Sequence, residues 1–137
     1  MVNKAVISGL DSKAREYALF VSSWEKMVIP SKITTIPTDR LEELSKLLEE
    51  KTAGFWEDVE DAVYDLVDVS FSLSPQLDAL YRLTYDISGR LSDLGKAVSE
   101  ELLRREKIEA EKMEEELRKT YEEHARLMRE YEEWSLE

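Results

Sequence analysis

Asp58, Asp61, Asp65 and Asp68 lie at spacings of three, four and three in "FWEDVEDAVYDLVDVSF", so on a helix they share one face with Glu57 beside them. Carboxylates placed this way can do three kinds of work. They can bind Mg²⁺ if further oxygen ligands converge from other elements. They can present a line of negative charge to a basic partner. They can also form the wet side of an amphipathic helix, partly paired with a neighbouring helix. Aspartate is a poorer helix former than glutamate because its short side chain competes for backbone groups. Relief by the helix dipole fades within the first turn and reaches only Asp58. Aspartate at this density therefore needs a tertiary or functional cause.

Other chemistry is sparse. Cysteine is absent, which removes disulfides, thiolate metal sites and cysteine nucleophiles. His124 is the single histidine, so no serine triad and no paired-histidine metal site can be assembled around it with any economy of residues. It sits on a helix face with Tyr121 and Met128, beside Glu122 and Glu123. We read no catalytic residue, no metal ligand and no cofactor, and hence a non-enzymatic protein.

Two short resemblances touch these residues. "EDVEDAVYDLVD", with "LLEEKTA" before it, resembles the paired motifs of MazG-like all-α nucleotide pyrophosphatases. That likeness implies Mg²⁺ and a nucleoside triphosphate held by Glu49, Glu50, Asp58 and Asp61. The chain departs from the pattern at Ala53, where the first motif ends in Glu, and at Asp58, where the second begins with Glu. The motifs also lie closer together than the family's hairpin normally permits. Arg118 and His124, separated by five residues, are similar in spacing to the Arg-x-His motif of helical HEPN ribonucleases, with Lys119 where a polar uncharged residue is usual.

The chain that must position these residues has 137 residues and a net charge of −12. This length suits one domain with a real core. The charge makes nucleic acid an improbable direct ligand, since phosphate binding relies on clustered Lys and Arg. No stretch approaches a membrane span, and "MVNKAVISGLDSKAREY" lacks a secretory pattern. A cytoplasmic, soluble protein with no membrane contact is expected. Asn3 and Gln76 are the only side-chain amides and 36% of residues are charged, a balance that resembles thermophile proteins.

Periodicity gives helices with few breaks. Tyr17, Val21, Trp24 and Val28 predict a first helix over residues 12–28, stopped before Pro30. "PSKITTIPT" is expected to run extended, with Ile33 and Ile36 tucked into the core. A second helix is expected from an Asp39 and Glu42 capping box, with Leu41, Leu44, Leu47 and Leu48 on one face. Gly54 is read as a break before a third helix, which carries Trp56, Val59, Val63 and Leu66 in one row, with Phe55, Ala62, Val67 and Phe71 beside it. Across the "SLSP" turn, Arg82 should come level with Asp65 and Arg90 with Asp58. Ser74 and Pro75 should start the last helix.

From Leu77 the residues Leu80, Thr84, Ile87, Leu91, Leu94 and Val98 keep a seven-residue repeat. Beyond Val98 the period lengthens towards eleven. Residues 100–137 hold fourteen Glu and eight Lys or Arg, with no Asp, Gly or Pro, so helix propensity is high and the apolar stripe thin. Folding back near residues 104–112 competes with one continuous helix.

The expected architecture is therefore an all-α bundle, residues 1–99. One long, projecting, coiled-coil-like C-terminal helix would continue through residues 100–137. The expected function is an oligomeric scaffold or adaptor, a homodimer by preference, with contacts through Leu117, Tyr121, Met128, Tyr131 and Trp134. Aromatic residues and Met are favoured in interface cores. The first alternative is an acidic, nucleic-acid-mimicking inhibitor, of viral or mobile-element type, meeting a basic protein through Glu57, Asp58, Asp61, Asp65 and Asp68. The second is a Mg²⁺-dependent nucleotide pyrophosphatase.

Overall fold

A computed structural model describes residues 4–70 and 72–136. Phe71, placed above beside the Val59 row, lies outside them. Helix α1 spans Lys4–Glu25, α2 is a single turn at Pro30–Ile33, and α3 spans Thr38–Phe55. A π-helical turn, Trp56–Glu60, joins α3 directly to α4, Asp61–Val69, and α5 spans Pro75–Leu136. The fold is an all-α bundle with one long C-terminal helix, and the described residues contain no strand. The chain forms two compact units, Met1–Leu102 and Leu103–Glu137.

The first unit is built on heptads. Ile7, Ala14 and Val21 follow one another at intervals of seven on α1 and are all buried. This row also explains why α1 begins eight residues earlier than its Tyr17–Val28 pattern suggests: Ile7 extends the same face by two turns. Leu41, Leu44, Leu48 and Phe55 face it from α3, with Val59 and Val63 following. On α5, Leu77, Leu80, Thr84, Ile87, Leu91, Leu94 and Val98 are all buried, which is the seven-residue seam read from the sequence. Thr84 is fully enclosed, and its hydroxyl donates to the Leu80 carbonyl at 2.7 Å, so it adds no unsatisfied polar group.

Local starts and stops differ in detail from expectation. The connector is not wholly extended, because Pro30 supplies the fixed φ of a first helical residue and α2 forms behind Ile29 in an extended conformation. Ile33 is buried and Ile36 half-buried, as expected. Helix α3 begins one residue before Asp39. Pro37, held extended, is its cap residue, and the Leu41 amide donates to the Pro37 carbonyl at 3.0 Å. Ser74 does cap α5, accepting from the Leu77 amide through Oγ at 3.2 Å. Residues 104–112 are helical throughout, so α5 does not fold back there.

The largest correction concerns Gly54. It does not break the chain into two helices, because the backbone continues through the π turn into α4. A Cβ at Gly54 would stand 2.8 Å from the Tyr17 hydroxyl of α1. The missing side chain therefore makes room for a tyrosine, and has nothing to do with stopping a helix.

The second unit is the remainder of α5. Within residues 103–136 every residue is exposed except Arg105, which is half-buried.

Candidate functional site

The aspartate stripe divides into one residue with a structural task and three without. Tyr17 donates its hydroxyl proton to Asp58 Oδ2 at 2.9 Å. Its ring lies 5.0 Å from that of Phe55 at 53°, and Lys51 Nζ sits 5.8 Å from its centroid and 5.3 Å from that of Phe20. Burial first, and then the hydrogen bond to Asp58, push the Tyr17 hydroxyl up to about 12. Asp58 thus anchors α1 to the junction of α3 and the π turn. Glu57, Asp61, Asp65 and Asp68 are all exposed. Among the described residues, the carboxylates of Asp61, Asp65 and Asp68 have no hydrogen-bond or ion-pair partner.

The arginines expected opposite the stripe go elsewhere. Arg82 pairs with Asp78 one turn before it at 3.1 Å, on the surface of α5. Arg90 reaches α1, where its Nη2 and Nε donate to the Glu25 carboxylate and its Nη2 also to Ser22 Oγ at 3.0 Å. Its Nη1 approaches Asp86 Oδ2 at 3.5 Å. Donation by Arg90 holds the Glu25 carboxyl below its usual range. With both Arg90 and Glu25 only partly covered, the contact adds about 1 kcal/mol or less. The pairing of Arg82 with Asp65 and Arg90 with Asp58 is therefore corrected: α1, not α4, supplies the acid for Arg90.

Nor does the stripe assemble a cation site. Among the described residues no three acidic or histidine side chains converge to hold a metal ion, and this includes Glu49, Glu50, Asp58 and Asp61. The side chains radiate from neighbouring turns, whereas Mg²⁺ needs oxygens gathered around one point.

One residue of chemical interest escaped the sequence reading. Glu60 is buried in the π turn, only 7% exposed. Its carboxylate accepts from the Ser88 hydroxyl, which lowers its pKa, but burial acts more strongly and the carboxyl is pushed up. Tyr64 beside it is also pushed up, mainly by burial and then by Glu60, Tyr81 and Tyr85. Its ring lies 6.3 Å from Trp56 and 6.0 Å from Tyr81. The extra residue of a π turn changes which side chains face inward, and such turns are frequent at functional sites.

A carboxyl with a raised folded pKa is protonated more readily in the folded chain. Its contribution to stability is full below the ordinary value and is lost as pH rises through the folded value. Glu60→Gln keeps an acceptor for Ser88 without the charge. It should raise stability at pH 7, with the gain vanishing below the ordinary carboxyl value of 4.5. Urea unfolding of both proteins at the two pH values measures this, and an equal difference at both would refute it.

The second candidate surface lies in residues 103–136. Leu117, Tyr121, Met128, Tyr131 and Trp134 are all exposed, Tyr121 at 72% and Trp134 at 74%. At helical pitch Met113, Leu117, Tyr121, His124, Met128 and Tyr131 fall within one arc. Tyr131 and Trp134 already touch, their centroids 6.4 Å apart. The opposite side carries local pairs, including Arg118 with Glu115 at 2.5 Å and with Glu122 at 2.7 Å. Arg118 is thus engaged by carboxylates one turn either side, and nothing joins it to His124.

No family model matches the chain, and no curated protein or solved structure matches it significantly. No helix among the described residues is long and apolar enough to cross a membrane.

Proposed function

We propose that the protein is a non-enzymatic scaffold or adaptor that forms a homodimer by pairing residues 103–136 of α5 with the same segment of a second copy. The observation that carries this reading is the exposure of a whole apolar arc, Leu117, Tyr121, Met128, Tyr131 and Trp134, in a segment with no buried residue. Large apolar side chains left in water at this density are the usual mark of an interaction surface. A single helix of this kind gains most of its stability from packing of its apolar face, which here requires a second chain. The stripe is narrow, so one partner helix covers it, and a dimer is the simplest assembly.

The rest of the molecule suits the same role. The bundle holds the start of α5 rigidly through its buried seam, and the acidic surface keeps the protein apart from nucleic acid. A cytoplasmic setting belongs to this reading. Light scattering on the full chain tests it. The expected mass at micromolar concentration is twice the chain mass of 16.0 kDa. A value of 16.0 kDa at every concentration would sink the proposal.

A further inference from the structure

Between α3 and α5 of the first unit lies an open groove of about 520 Å³. Leu48, Ala53 and Trp56 form one wall, and Leu91 and Gly95 the other. Trp56 was expected in the core row of its helix, yet it is 50% exposed and its indole stands at this groove. Gly95 leaves the facing wall low, with open space above its backbone as at Gly9 and Gly89. A glycine inside a helix costs roughly 0.5–1 kcal/mol relative to alanine. A Cβ there would meet nothing within 4 Å, so no contact within the chain requires the gap. The groove is a shallow trough floored by the buried Leu48 and Leu91, bordered by Ala53, Gly95 and the hydroxyl residues Ser45, Thr52, Ser92 and Ser99, with Trp56 as its one large aromatic, a form that receives the ridge of a helix.

Charge selects the occupant. Glu49 and Glu57 are the only charged residues lining the groove, and no Lys, Arg or His lines it. The protein's own residues 103–136 carry eleven Glu against eight Lys or Arg, so a second copy's C-terminal helix would bring like charge to the site. We propose that this groove docks a basic amphipathic helix of another protein, whose apolar ridge fills the space beside Trp56 and Gly95 and whose Lys or Arg flank Glu49 and Glu57. All residues lining this groove belong to the first unit, and none lies in residues 103–136.

Calorimetric titration of the full chain with an 18-residue helical peptide of leucine and lysine, and with its leucine and glutamate counterpart, tests the proposal. The lysine peptide should bind and the glutamate peptide should not. Gly95→Leu fills the groove with a better helix former and should weaken binding at least tenfold. Trp56→Ala, a second route to the same surface, should also weaken it. Asp65→Lys with Asp68→Lys changes the net charge more than either, but away from the groove, and should alter binding less than threefold. The proposal is overturned if the lysine peptide does not bind, if both peptides bind alike, or if Gly95→Leu binds as the unaltered protein does.

Discussion

If residues 103–136 pair as proposed, Met128→Glu combined with Tyr131→Glu should convert the dimer to a monomer without unfolding the bundle. In a two-fold dimer the substitutions remove four large apolar side chains from one seam. Burial of each is worth about 1.5 kcal/mol or more, so the loss is at least roughly 6 kcal/mol. That corresponds to about four decades in the association constant. The incoming carboxylates add a further cost, since four like charges would face one another across the seam. The core should be untouched, because its buried apolar residues end at Val98 and both substituted positions are exposed. Light scattering reads the mass and near-ultraviolet circular dichroism the packing of Tyr17, Phe55 and their neighbours. A double variant that remains a dimer would place the seam elsewhere on the chain.

How far such surfaces can be read from residues alone depends on whether a local rule decides them. The seam from Leu77 to Val98 was legible because one period runs unbroken for three heptads, and all seven of its residues are buried. The start of α5 was legible because Ser74 and Pro75 act through backbone geometry within a single turn. Gly54 was not, because its reason lies on another helix. Only the position of Tyr17, thirty-seven residues earlier, shows that the glycine clears space for a hydroxyl. Arg90 was misassigned for a similar cause. Hairpin register places it near α4, but the end of α1 brings Glu25 closer, and no pattern along one chain ranks two acids on different helices. Glu60 was hidden by the π turn, whose added residue turns inward a position that regular helical pitch would leave at the edge. With Arg82 and Arg90 paired elsewhere, Asp61, Asp65 and Asp68 leave an exposed acidic face.

The role assigned to Gly54 predicts a reversal of sign between two backgrounds. Alanine at this position should gain about 1 kcal/mol from helix propensity, if nothing else changed. Its Cβ, however, would fall 2.8 Å from the Tyr17 hydroxyl, well inside contact distance. That hydroxyl cannot move cheaply. It is held at 2.9 Å by Asp58, and its ring is fixed between Phe55 and Lys51. Displacing it gives up a hydrogen bond of about 1 kcal/mol and forces the side chain off its rotamer for another 0.5–1.5 kcal/mol or so. Gly54→Ala alone should therefore destabilise by about 1 kcal/mol. In Tyr17→Phe the colliding oxygen is absent, and the next ring atom stands at 3.8 Å, an ordinary contact. There the same alanine should stabilise by about 1 kcal/mol, giving a coupling of about 2 kcal/mol. Urea denaturation of the four proteins of this cycle measures it. Equal effects of alanine in both backgrounds would mean that the glycine serves something other than the tyrosine.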